Sequence, residues 1–382
     1  MSSIRVAIAG AGIGGLASAL ALRRAGIEAH VYERASELRP LGAGLAMWPN
    51  GTRSLRRLGL LDDVRASAAE PEEIGLFDPR GRRLSSIPTR RIAERVGAPM
   101  LVVGRGPLQQ ALVAAVGAES VSLGVELDSF EQRDGEVALR FAGGREERAD
   151  VLIGADGLRS VVRRQLVGAS EPRASGAVAW RAAVELPHEL VRQIPVGEYW
   201  GEGRLFGLLP MGRDHVYWFA GWRAPEHGPA DPEEDRAALI EAFAHWDPPL
   251  SQVVEATPAR AILRNALFDR RPARRWSAGH VTLAGDAAHP MMPNIGQGAC
   301  QALEDALLIA DELRAGNGPA AALARYERRR RRRAAAVVRQ SRQMAKLADV
   351  KGPVAERTRN ALLRATPAVI VSRRLESAIG RG

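Results

Sequence analysis

The segment Ile4-Arg5-Val6-Ala7-Ile8-Ala9-Gly10-Ala11-Gly12-Ile13-Gly14-Gly15 constrains the fold of this chain more than any other. A short apolar run, which reads as a fully buried strand, breaks into closely spaced glycines. Leu16 to Ala25 then reads as a helix ended by Gly26, and Glu28 to Tyr32 as a second strand with Glu33 at its end. Strand, glycine turn, helix, strand and acid within about thirty residues is the order of a Rossmann unit. The glycines serve a tight turn, a close backbone approach to a pyrophosphate, and close helix–strand packing. Glu33 is placed to accept hydrogen bonds from adenosine ribose hydroxyls, and its charge disfavours a 2′-phosphate.

At 382 residues, with 46% hydrophobic and 26% charged residues, the chain has the size and balance of a soluble protein of two domains. Its formal charge of +10 invites a nucleic-acid reading. However, Lys346 and Lys351 are the only lysines among 54 basic residues, and the arginines run along the whole chain. That pattern fits codon bias better than a binding face. The run Arg328 to Arg333 reads as a solvated helix end. Cys300 is the only cysteine, which excludes an intramolecular disulfide, a CxxC redox pair and a cysteine metal cluster, and suits a reducing cytoplasmic setting. The apolar run Val6 to Leu22 is shorter than the roughly 20 residues that span a bilayer, and no signal-peptide cleavage pattern follows it. No nucleic-acid partner and no stable membrane association are expected.

A second glycine-rich loop is Leu41-Gly42-Ala43-Gly44-Leu45, and Trp48-Pro49-Asn50-Gly51 opens a helix. Arg105 precedes a helix with Pro107 in its first turn, Val121 to Asp134 and Val137 to Phe141 read as strands, and Ala149 to Gly157 is a buried strand ending in the acidic turn Asp156-Gly157. Residues 176 to 246 differ in kind. They hold ten of the chain's eighteen aromatic residues, among them Trp180, Tyr199, Trp200, Phe206, Tyr217 and Trp218, in an alternating pattern that predicts an antiparallel sheet. Each ring is equally readable as plain core or as the wall of a flat apolar pocket, because the register is not legible. Val281 to Ala284 is a last buried strand. It feeds Gly285-Asp286-Ala287-Ala288-His289-Pro290 and Pro293-Asn294-Ile295-Gly296-Gln297-Gly298, ahead of a helix marked by Ala302, Leu303, Ala306 and Leu307. Backbone N–H groups at such a glycine-rich helix start stabilise negative charge on a bound ring.

These motifs together resemble the single-component (group A) flavin-dependent aromatic hydroxylases, the family of para-hydroxybenzoate and salicylate hydroxylases. Gly10 to Gly15, Arg105 with Leu108 and Leu112, Asp156-Gly157, and Gly285-Asp286 occur in that family's order over about residues 4 to 345. The resemblance implies an α/β fold: a Rossmann-like FAD-binding domain (1–75, 99–172 and 275–330), an inserted antiparallel-sheet substrate domain (76–98 and 173–274), and C-terminal helices (331–382). It implies FAD as bound cofactor, held by Gly10, Gly12, Gly14, Gly15, Glu33, Arg34, Gly44, Leu45, Arg105, Asp156, Asp286, Pro293, Gly296, Gln297 and Gly298. Asp156 also reads as a helix N-cap. It implies NADH or NADPH as transient co-substrate and O2 as oxidant, reacting through a flavin C4a-hydroperoxide that survives where water is excluded. A base that sharpens the substrate ring would be Tyr217, His215 or His289, and Arg181 would pair with a substrate carboxylate. Met47, Trp48, Pro290 and Met291 are expected pocket walls. No metal is expected, the substrate is a small aromatic molecule, and the protein is a monomer or homodimer.

The nearest alternative is an epoxidase or other oxidative tailoring enzyme on a polyene or polyketide. A C=C reductase is a further one, and a non-catalytic FAD-binding protein stands in a different class. A flavin halogenase needs an active-site lysine, which Lys346 and Lys351 do not provide. A disulfide reductase is excluded by the lone Cys300.

Overall fold

The computed structural model describes residues 4–38, 44–224, 231–367, 376, 379 and 380. Leu41, Gly42 and Ala43 of the second glycine loop lie outside them. A six-stranded sheet carries the strands in the spatial order Ser277–Ala278, Val281–Leu283, Val151–Gly154, Arg5–Ala9, Glu28–Glu33 and Val121–Leu123. All are parallel except the edge strand Ser277–Ala278. Arg5–Ala9 sits centrally, with Val6 beside Val151 on one side and Ala29 on the other. That position explains its unbroken apolar run, since both faces are covered.

The helix after the glycine turn spans Ile13–Arg24, three residues earlier than its apolar periodicity implies. Gly14 and Gly15 therefore lie inside its first turn. It packs between the helices Arg105–Val116 and Gly298–Arg314. A methyl on Gly14 would sit 3.3 Å from Ala302 Cβ, and one on Gly285 would meet the same Ala302 methyl at 3.3 Å. The two glycine-rich segments thus converge on one side chain, though they are far apart in sequence. The expected strand Val121 to Asp134 is two strands, Val121–Leu123 and Leu127–Arg133, broken at Gly124, whose φ is +69°.

A seven-stranded sheet runs Leu263–Asp269, Arg173–Glu185, His215–Arg223, Arg204–Pro210, Gly197–Gly201, Ile74–Phe77 and Arg83–Ile87. Only Gly197–Gly201 with Ile74–Phe77 is parallel. Its outer face carries Trp180, Trp218, Phe206, Tyr199 and Phe77 into a separate core under the helices Pro232–Phe243 and Pro249–Ala256. Most of the sheet's aromatic rings are therefore plain core. The inner face carries Arg181, Tyr217, Phe219 and Glu198, and Tyr217 and Phe219 join the core of the six-stranded sheet.

The helix Pro319–Ala348 is continuous through residues 330 and 331, so no structural break separates a C-terminal segment there. Its arginine run is not simply a solvated helix end either: Arg330 is buried. Among the described residues no helix is long and apolar enough to cross a membrane.

Candidate functional site

The glycine turn is locked from three sides. Gly10 takes φ +100°, and a methyl there would lie 2.6 Å from the Ala155 carbonyl oxygen. One Glu33 oxygen accepts from the Ala11 amide at 2.7 Å and the other from the Ala35 amide at 2.9 Å. Gln109, from the helix that Arg105 begins, donates to the Ala11 carbonyl at 3.0 Å. Glu33 thus fixes the turn while each oxygen keeps a lone pair for a further donor. Gly12 faces open space, with nothing within 4 Å of where a methyl would stand, as a backbone that approaches a ligand requires. Arg34 and Arg105 are both exposed beside this region.

Asp156 is not the N-cap that one of its two readings expected, since Ser160 holds that position of the helix Val161–Val167, but it bonds the same helix start. One of its oxygens accepts from the amides of Val161 and Val162 at 2.7 and 3.2 Å, and its other oxygen is buried without a partner. Burial raises its carboxyl, against bonds from Ser160 and the backbone.

The Asp286 side chain is accessible to solvent, with protein packed closely around its carboxyl. Burial raises its carboxyl, and His289 and Arg105 partly offset that. At the far end of the same loop, Pro293–Ile295 forms a single tight turn and Gly296 has φ +60°. The helix Gly298–Arg314 then begins, with first-turn amides that have no intrahelical acceptor. A methyl on Gly298 would likewise have nothing within 4 Å. The Trp48 indole nitrogen lies 3.0 Å from where a Gly296 methyl would stand, and both it and the Asn294 amide oxygen are buried without partners. Open glycine positions at both ends, an accessible carboxylate and unsatisfied polar atoms between them fit a long, polar, two-ended cofactor such as FAD.

Behind the loop lies a buried network that no sequence motif announces. Asp305 accepts from the Gly285 amide at 3.0 Å and from His289 Nε2 at 2.5 Å through one oxygen, and from Arg330 Nε at 2.7 Å through the other. Burial alone would raise the Asp305 carboxyl, but His289 and Arg330 outweigh it and hold the group at about 2. Arg330 also pairs with Glu304 and donates to Gln301, which in turn donates to Gln297 at 3.0 Å. Asn50 donates to Gln297 and Glu304. Arg163 donates to the carbonyls of Ala287 and Ala288, and the Tyr326 hydroxyl to that of Leu283. The loop is thereby held along its length by side chains from four helices. Asp305 could have been flagged as the lone carboxylate on the apolar face formed by Ala302, Leu303 and Ala306.

This network corrects two expected roles. His289 is buried against Trp276 and bonded to Asp305, so it cannot serve as a base at a substrate. The Gln297 side chain is fully buried in the network on the reverse of the loop, which leaves only its backbone for a cofactor.

The inner face of the seven-stranded sheet holds the other residues expected from the sequence. Cross-strand pairing places Arg181 beside Phe219, Phe219 beside Gly207, and Gly207 beside Glu198. This lateral row spans three strand spacings, about 14 Å between its end Cα atoms. A methyl on Gly207 would collide with the Phe219 ring, so that ring lies across the glycine and floors the row. Tyr217 lies two residues further along, packed against Gly44 of the strand Gly44–Met47. Leu45 pairs with Val103 in the strand leading to Arg105, and Ala46 lies under Gly296.

Burial raises the Tyr217 phenol, Arg181 lowers it and Glu198 raises it. The hydroxyl is therefore kept as a donor and is not the base expected. His215 shares this face by alternation but is exposed at the start of the strand His215–Arg223, beyond the packed part, and does not fit the expected base role either. Met47 is core and walls no pocket. Glu198, not singled out in the sequence, has its carboxyl pushed up to about 7 by burial, against a hydrogen bond from Trp200. Period-two alternation around Tyr199 was its only signal.

The family model of the FAD binding domain matches residues 3–341. The chain is 43% identical over 326 residues to aurachin C monooxygenase/isomerase of Stigmatella aurantiaca, covering 85% of each. It is 33% identical over 330 residues to the FAD-dependent urate hydroxylase of Klebsiella pneumoniae, covering 85% of each. The solved structure of Klebsiella pneumoniae HpxO with FAD and uric acid matches with a TM-score of 0.92 at 29% identity, covering 98% of this chain and 96% of that one.

Proposed function

The chain belongs to the FAD binding domain family, as a group A FAD-dependent aromatic monooxygenase, and from that premise we propose that it hydroxylates a heteroaromatic small molecule with NADH or NADPH as reductant. The observation that carries this reading is the inner row Arg181, Phe219, Gly207 and Glu198, a flat aromatic floor with a charged group at each end. The urate hydroxylase relative supports a nitrogen-containing ring.

Bound FAD, once reduced, supplies the electrons that activate O2 for transfer of one oxygen atom. In this reading the turn Gly10, Gly12, Gly14 and Gly15 takes the pyrophosphate and Glu33 the ribose hydroxyls, with Arg34 and Arg105 alongside. Asp286 accepts from a ribityl hydroxyl. Gly44 and Leu45 flank the ring system, and Asp156 positions the backbone behind the turn. Pro293, Gly296, Gln297 and Gly298 line the ring with backbone, and the amides of this loop hold negative charge without reorganisation because the network behind them is already formed. Arg181 binds an anionic oxygen of the substrate, and the Tyr217 hydroxyl donates to it. The substrate stands between this face and the loop Pro290 to Gly298, a position that excludes water.

Residues 1–75, 99–172 and 275–330 act as the cofactor domain and 76–98 and 173–274 as the substrate domain, with the long helix running on into 331–382. The enzyme works as a cytoplasmic monomer or homodimer on a small molecule, without nucleic acid. The test is O2-dependent NAD(P)H oxidation by the yellow, FAD-loaded protein against a panel of hydroxylated N-heteroaromatics. Substrate-stimulated oxidation with a product heavier by one oxygen is expected. Absence of stimulation across the panel sinks the reading, and loss of a substrate double bond in the product assigns the epoxidase alternative.

A further inference from the structure

We propose that Glu198 reads the substrate: its free carboxylate oxygen accepts a hydrogen bond from a ring N–H at the opposite end of the row from Arg181. The inference rests on the proposed function and adds the feature by which a nitrogen ring is recognised.

The first argument is partnering. Asp78, Asp235, Asp269, Asp305 and Glu312 are buried acids, and each has an arginine within 3.4 Å. The chain carries 54 basic against 44 acidic residues, so cations are plentiful. Glu198 has none: among the described residues its only hydrogen bond is from Trp200 Nε1 to Oε2 at 2.8 Å. A cation that does reach Trp200 is Arg359, on the helix Pro353–Ala365. It stacks 5.9 Å from the Trp200 ring and donates to the carbonyls of Leu347, Ala348 and Trp200, not to Glu198. Arg181 stands three strands away across the Phe219 floor.

The second argument is placement. Glu198 is only partly accessible, and its remaining oxygen is not sealed from solvent. An acceptor with no protein partner leaves a position that a ligand donor can take in place of water. The side chains facing it across the row, Phe219 and Leu76, cannot donate, and Gly207 has none. Tyr217 and Arg181 are the titratable and charged groups nearest on the same face. Burial pushes the carboxyl up, and the same desolvation strengthens any charge-assisted bond that an N–H makes to its ionised form. A ligand with an N–H at one edge and an anionic oxygen at the other fits both ends of the row.

The competing reading is that Glu198 merely orients Trp200. Titration of the FAD-loaded protein, followed by flavin absorbance, separates the two. The probes are 4-quinolone and 6-hydroxynicotinate, each against its N-methyl derivative. In the wild type the N–H member of at least one pair should bind about tenfold more tightly, the worth of one hydrogen bond to a charged acceptor. In Glu198→Gln the Trp200 N–H holds the amide oxygen, so an NH2 group faces the row and the preference should vanish or invert. Glu198→Ala, with FAD content and thermal midpoint as folding controls, should also lose the preference.

Equal affinity within both pairs, no binding by any member, or an unchanged preference in Glu198→Gln would overturn the proposal. Equal oxygenation of N–H and N-methyl members leaves the monooxygenase reading intact and removes this one. A preference in binding without any turnover does the reverse.

Discussion

Two carboxylates, one buried and one partly accessible, behave in opposite ways. Asp305, behind the loop Gly285 to Gln297, is held at about 2 by His289 and Arg330, while Glu198, on the inner sheet face, is pushed up to about 7 with only an indole N–H for company. The first belongs to a network that satisfies itself and holds the loop from Gly285 to Gln297 in place. The second leaves an acceptor over. A cofactor surface that must not reorganise is built from closed networks, whereas a surface that selects a ligand keeps an incomplete one.

The contrast can be broken most sharply at Arg330. Arg330→Met strands Asp305 without its guanidinium and should cost about 3–5 kcal/mol, seen as a lower thermal midpoint together with weaker FAD binding. A variant of near wild-type stability would show that the network is ornamental. Arg181→Ala should instead leave the midpoint unchanged and weaken binding of a carboxylate- or phenolate-bearing ligand by roughly 10- to 100-fold. Unaltered affinity would remove the cationic end of the row.

Acid acts on the closed network alone. The folded-state Asp305 carboxyl lies below its ordinary value, so the stability it contributes is fully present above about pH 4 and is lost as pH falls towards 2. The loss is on the order of 2 kcal/mol. Denaturant midpoints measured across that window in wild type and Asp305→Asn should converge at the acid end, and parallel curves would contradict the assignment. Glu198 has the opposite sign: its carboxyl is raised, so the folded state loses stability as pH climbs from about 4.5 through 7. Glu198→Gln should therefore gain up to about 1 kcal/mol over wild type at pH 8 and less at pH 5, the smallest effect of the set. A destabilised Gln variant at pH 8 would mean that Glu198 has a partner after all.

The cofactor half was largely legible because its signals are local. Glycines at fixed offsets, an acid at a strand end and Asp286 after a buried strand each report a backbone geometry that neighbouring residues enforce. The substrate half was not. Trp180 and Arg181 are adjacent in sequence and lie on opposite faces, one in the outer core and one beside Phe219. His215 and Tyr217 share a strand but differ in burial. His289 looked like a base because its partner, Asp305, lies on the next helix, and the arginine run hid one buried member, Arg330, among solvated ones.

The sequence alone determined a Rossmann unit and a glycine-rich loop ahead of the helix Gly298–Arg314, because turn geometry and strand burial are written into short segments. Tertiary structure alone decided which face of the seven-stranded sheet is core, which carboxylate is paired and which is left open. Period-two alternation defines two faces without saying which one is inward, and ion pairs form between residues that only the folded chain brings together.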